Sequence, residues 1–225
     1  MEWSSDAHCP HGDTSIAKSV AVTTKTAGLT VAAYGSYYRL GASEEQGLTF
    51  ASVLASAVAL GAPAIRIWAG AAGSAETTPK QRNAVIADAR RISLLAAAAK
   101  VRVLTEWHAG TLTDTGASGR AFLTDVGQPN FGTVWQPGIG LDPAVAEAEL
   151  TAVLPWVEHL HVFHWRTHER RPLAEGAAAW RRYLALAATT GKVTCAALEF
   201  VRGDEPAQLG PDAATLNTLL REIAK

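Results

Sequence analysis

Apolar, strand-like runs alternate with helix-like periodic segments about every thirty residues, which is the βα pattern of a parallel sheet. The runs begin at Met1, Leu29, Ala64, Val101, Gly132, His159 and Lys192, and each is followed by a helical segment. Seven such units are one short of the eight that close an α/β barrel. The expected fold class is therefore α/β, a (β/α)8 TIM barrel lacking its first βα unit. Residues 1–225 are expected to form a single domain, incomplete at its N-terminal end because the first run starts at the initiator. An open doubly wound sheet needs no eighth strand, but it usually carries a glycine-rich phosphate loop after its first strand. No such loop follows residues 1–3.

Local signals set provisional boundaries. Asp13 is placed to cap a helix over residues 14–26, with Gly28 beyond its end. Residues 29–34 read as a strand and residues 35–41 as a loop. Ser43-Glu44-Glu45-Gln46 has the pattern of a capping box, which predicts a helix from there to residue 60. Residues 64–68 and 101–106 read as strands around a long helix that begins near Pro79. Further helices are predicted over 118–126, 142–157, 173–190 and 212–224, and further strands over 132–136, 159–164 and 192–201.

Composition narrows the function classes. The chain is 48% hydrophobic and 18% charged, with a net charge of −1, which suits a large core and gives no electrostatic footprint for nucleic acid or an anionic membrane. No apolar run reaches membrane-spanning length, and no basic-then-apolar leader opens the chain. Cys9 and Cys195 form no C-x-x-C pair, which fits a reducing cytosol. The expectation is a cytoplasmic protein.

The strand ends carry the chemistry. On a strand, Glu106 and His108 point to the same side. Charged or polar groups recur at the end of nearly every strand, although such groups are costly near a core. Glu106, His161 and Glu199 come from three different strands, and carboxylate and imidazole ligands suit Mn²⁺, Mg²⁺, Co²⁺ or Zn²⁺. Gln136 adds a neutral amide oxygen. Without a metal, the two glutamates would form a like-charge pair sharing a proton, which still serves acid–base chemistry.

Six segments carry a resemblance. They are Ala-Tyr-Gly-Ser-Tyr-Tyr-Arg-Leu-Gly (33–41), Leu-Gly-Ala-Pro-Ala-Ile-Arg-Ile-Trp-Ala-Gly (60–70), Thr-Glu-Trp-His-Ala-Gly-Thr-Leu (105–112), Trp-Gln-Pro (135–137), His-Leu-His-Val-Phe-His-Trp (159–165) and Leu-Glu-Phe-Val (198–201). With these the chain resembles the sugar phosphate isomerase/epimerase group of xylose isomerase-like TIM barrels, starting at that family's second strand. The resemblance implies one divalent metal held by Glu106, His161 and Glu199. Gln136 stands where the family has an aspartate, a departure that lowers the negative charge of the site.

The resemblance also implies that Glu106 and Glu199 transfer protons on opposite faces of a small sugar or polyol-type substrate. The reaction would be isomerisation or epimerisation through an enediolate. Arg66, His108 and Arg202 are candidates for binding substrate oxygens, and Trp68 for a sugar-facing wall. A non-catalytic sugar-binding or structural barrel and a metal-dependent lyase or dehydratase are the alternatives. The superfamily's three-metal apurinic endonucleases are disfavoured, because Pro137 stands where further ligands are needed and no basic groove is present. A barrel with a gap exposes strand edges, so self-association into a homo-oligomer is a further expectation.

Overall fold

A computed structural model describes residues 1–224. The chain forms two compact units, Met1–Val134 and Trp135–Lys225. The first contains β1 (Glu2–Ser4), α1 (Thr14–Thr26), β2 (Ala33–Arg39), α2 (Phe50–Leu60), β3 (Ala64–Trp68), α3 (Pro79–Ala98), β4 (Arg102–Glu106) and α4 (Gly116–Val126), and it runs into β5 (Phe131–Trp135). Its strands pair in parallel in chain order, β1 through β5. The second unit contains α5 (Pro143–Val153), β6 (Val157–Val162), the short strands β7 (His164–Arg166) and β8 (Glu169–Arg171), α6 (Ala177–Ala188), β9 (Cys195–Leu198) and α7 (Pro206–Ile223). There β6 and β9 pair in parallel, while β7 and β8 form an antiparallel hairpin.

The strand period places a charged row above an apolar one. Ala33, Ala64, Leu104 and Val134 pack together as a buried cluster. Two residues further along β2, β3 and β4 stand Gly35, Arg66 and Glu106, which therefore project from the same sheet face. Ile65, Ile67 and Val103 alternate with them and are fully buried.

Several boundaries differ from expectation, each for a local reason. β2 covers Ala33–Arg39, where the sequence suggested a strand at 29–34 followed by a loop. The polar residues of this stretch are satisfied inside the sheet: Ser36 donates its hydroxyl to the Arg66 carbonyl at 2.7 Å. Helix α2 starts at Phe50 under a Thr49 cap, not at Ser43. The Ser43 hydroxyl instead accepts from the Arg39 N–H at 2.8 Å, and Glu44 Oε1 accepts from the Phe50 N–H at 3.0 Å. The loop thus consumes the groups that resemble a capping box. A true capping box forms at Thr78 and Gln81, at the start of α3.

Helix α7 begins at Pro206 rather than at residue 212. Asp212 is buried and accepts from the Leu173 N–H and the Gln208 side-chain amide, each at 2.9 Å. The β7–β8 hairpin was not anticipated, because its charge-rich sequence has no alternating apolar pattern.

Candidate functional site

In the first unit the site residues converge on Glu106, which is 3% exposed at the end of β4. Its Oε2 accepts from Arg66 Nη1 and, at 2.6 Å, from Trp68 Nε1. Arg66 also donates from Nε to Glu2 Oε1 at 2.5 Å. One buried guanidinium therefore bridges two carboxylates. Burial works against the charged form of Arg66, but Glu2 and Glu106 outweigh it, and the guanidinium stays ionised more firmly than an ordinary arginine.

Gly35 makes this arrangement possible: a Cβ there would lie 2.6 Å from Arg66 Nη2 and 3.0 Å from Glu2 Oε1. Arg66, read from the sequence as a substrate contact, is thus engaged by protein carboxylates. Glu2 stands in the sequence as one more polar strand-end residue, and nothing in its spacing signals that it partners Arg66 across two strands.

Trp68 has two ring partners. The His108 imidazole stacks on it, with centroids 4.4 Å apart and planes 22° apart. The Arg39 guanidinium carbon lies 4.0 Å from the Trp68 ring centroid. Arg39 arrives from β2 and His108 from the end of β4, on opposite sides of β3. His108 Nδ1 donates to the Ala109 carbonyl at 2.6 Å, so Nε2 is the ring nitrogen left for a further partner.

In the second unit, His161 lies in β6 and is 4% exposed. Its Nδ1 is 3.1 Å from Gln136 Oε1 and 3.6 Å from Glu199 Oε1. Adjacent ligands on a divalent ion with bonds of about 2.1 Å lie roughly 3.0–3.5 Å apart. An imidazole nitrogen, an amide oxygen and a carboxylate oxygen fit such an ion in donor type, and the two distances lie at or just above that range. Glu199 follows β9, and its N–H reaches the Val162 carbonyl at 3.3 Å, which ties it to the end of β6. Arg202 sits in an exposed one-turn segment and pairs with Glu205 at 3.0 Å. Among the described residues, no helix is long and apolar enough to cross a membrane.

Comparison with known proteins places this chain in a family. A curated relative, the 3-dehydroshikimate dehydratase of Bacillus anthracis, is 35% identical over 103 residues, which is 43% of this chain and 35% of the relative. The chain thus matches about a third of that relative's length. The structure of the probable 3-DHS dehydratase involved in petrobactin synthesis from the same organism superposes with a TM-score of 0.69 at 21% identity, over 89% of this chain and 80% of that one. The 3-keto-D-glucoside 4-epimerase of E. coli, in its apo form, superposes with a TM-score of 0.67 at 17% identity, over 92% and 84% of the two chains. The family model described as xylose isomerase-like TIM barrel matches residues 7–219, and the chain belongs to that family.

Proposed function

We propose that the protein is a divalent-metal-dependent isomerase or epimerase acting on a small sugar or polyol-type substrate. The observation that carries this reading is the donor set. Within the second unit His161 Nδ1 faces both Gln136 Oε1 and Glu199 Oε1, and the resemblance to the family adds Glu106 as a further ligand. When bound, the ion would polarise a substrate carbonyl and make the adjacent C–H more acidic.

The chain's own residues do the rest. Glu106 and Glu199 take and return the proton on the two faces of the reacting carbon. The Arg66 and Trp68 donors fix the orientation of the Glu106 carboxylate, so it meets substrate in one geometry. His108 Nε2 accepts from a substrate hydroxyl. Gln136 in place of an acid leaves the site with less negative charge, which favours a loosely held, exchangeable ion.

A dehydratase is the second reading, favoured by the 35% identity to a 3-dehydroshikimate dehydratase. Its first step, proton removal next to a carbonyl, needs the same residues. It differs in expelling water instead of returning the proton.

Metal analysis of the purified protein, followed by a panel of ketoses and cyclic hydroxy-ketones with added Mn²⁺, Mg²⁺, Co²⁺ or Zn²⁺, tests both readings. A product of unchanged mass supports the isomerase, and a product lighter by one water supports the dehydratase. A protein that takes up no divalent ion, and whose melting temperature is unmoved by any of the four, overturns the metal-dependent reading and leaves a sugar-binding barrel.

A further inference from the structure

Arg39 is the cation at this site that the protein leaves uncommitted. Arg66 is bridged by two carboxylates, and Arg202 pairs with Glu205. The Arg39 guanidinium, by contrast, donates to no acid or carbonyl among the described residues. Its guanidinium carbon lies over the Trp68 ring, 4.0 Å from the centroid. Only its backbone is engaged, through the Ser43 hydroxyl and the N–H groups of Ala42 and Ser43. A guanidinium held over a ring by cation–π attraction still has its five N–H groups to donate as a fork. Trp68 thus holds the cation without using its donors.

The backbone around Arg39 is built to hold it there. The β2–β3 register is broken between Gly35 and Arg39, and pairing resumes with Arg39 opposite Trp68. Within the break, Tyr37 has φ +54°, a left-handed conformation that a tyrosine rarely takes and that only its surroundings can hold in place. Its ring lies edge-on to Trp68 at 6.0 Å and over the Arg66 guanidinium at 5.1 Å. On the other side, buried Tyr38 donates its hydroxyl to Asp88 Oδ2 at 3.0 Å, and the same oxygen accepts the Gly41 N–H at 2.9 Å. Strain and anchoring on both flanks fix a residue that makes no ion pair of its own.

We propose that Arg39 is a specificity-determining residue that binds an anionic oxygen group, carboxylate or phosphate, on the substrate. The substrate class of the site is then a sugar acid or sugar phosphate rather than a neutral sugar. This rests on the reading of the Glu106 side as a substrate site. Trp68 connects the two directly, since its indole N–H is bonded to Glu106 and its ring carries Arg39.

The test is calorimetric binding of fructose, glucuronate and fructose 6-phosphate to the wild-type chain, Arg39→Met and Arg39→Lys, with Mn²⁺ uptake measured separately by electron paramagnetic resonance. The wild type should prefer one or both anionic probes to fructose by about 10- to 100-fold, the range for a charge-assisted hydrogen-bond pair. Whichever probe binds identifies the anion as carboxylate or phosphate. Arg39→Met should erase the preference, and Arg39→Lys should restore part of it. Equal binding of neutral and anionic probes by the wild type overturns the proposal, as does a preference that survives in Arg39→Met. Loss of Mn²⁺ uptake with an intact Arg39-dependent preference would remove the metal-enzyme reading alone.

Discussion

Gly35 lies against the Arg66 guanidinium so closely that a methyl group at position 35 would sit 2.6 Å from Nη2. Both ends of that guanidinium are fixed by carboxylates, so it cannot swing away cheaply. Gly35→Ala should therefore cost about 1–3 kcal/mol in urea denaturation, the usual range for overpacking. In an Arg66→Ala background the penalty should largely vanish, since the group it collides with is gone.

Arg66→Met should be more damaging than the lost volume alone suggests. It leaves Glu2 and Glu106 buried without the cation that bridges them, and breaking a buried pair typically costs about 3–5 kcal/mol. Adding Glu106→Gln to Arg66→Met should recover part of that loss by removing one of the stranded charges. Chemical denaturation of the two variants at neutral pH reads this directly; equal stability of single and double mutants would contradict the bridging role.

Trp68→Phe keeps an aromatic ring for Arg39 and His108 but removes the N–H that meets Glu106 at 2.6 Å. A hydrogen bond to a charged group contributes about 1.5–3 kcal/mol. The variant should melt lower than the wild type and should bind Mn²⁺ with altered affinity, because its Glu106 carboxylate is held by one donor fewer. Unchanged melting and metal titration would show that the indole N–H is incidental.

His164 opens the β7–β8 hairpin, and burial pulls its imidazole below the usual histidine value, partly offset by nearby Glu175. The folded chain thus binds fewer protons at this position than the unfolded chain does. Stability contributed here is present above the ordinary histidine range and is lost as the pH falls through and below it. His164→Asn should flatten that part of the stability–pH curve, which denaturation midpoints at pH 5 and pH 8 would reveal.

The alternation of strands and helices was readable from the sequence because βα units impose two hydrophobic periods that differ sharply. The sequence singles out Glu106, His161, Glu199 and Gln136 for a related reason, since a polar residue at the end of an apolar strand is conspicuous, and within the second unit His161, Gln136 and Glu199 lie together. Side chains defined by what they touch were not readable. Arg66 and Arg202 look alike as basic residues at strand ends, yet one bridges two carboxylates in the interior and the other pairs at the surface. Arg39 sat inside a segment that reads as loop, since Tyr-Gly-Ser-Tyr-Tyr lacks the alternation of a half-buried strand. Ser43-Glu44-Glu45-Gln46 was misleading because serine and glutamate serve a loop and a helix start with the same atoms.

The break in register between Gly35 and Arg39 has a consequence for how such a site diversifies. Below it, β2 is locked to β3 through Tyr34 opposite Ile65 and Gly35 opposite Arg66. Above it, the pairing is set by the length of a three-residue excursion. Lengthening or shortening residues 36–38 by one would bring a different side chain opposite Trp68 while the strands beneath kept their partners. The scaffold can therefore exchange the group that stands beside Trp68 by a single insertion, without disturbing the Arg66 bridge between Glu2 and Glu106.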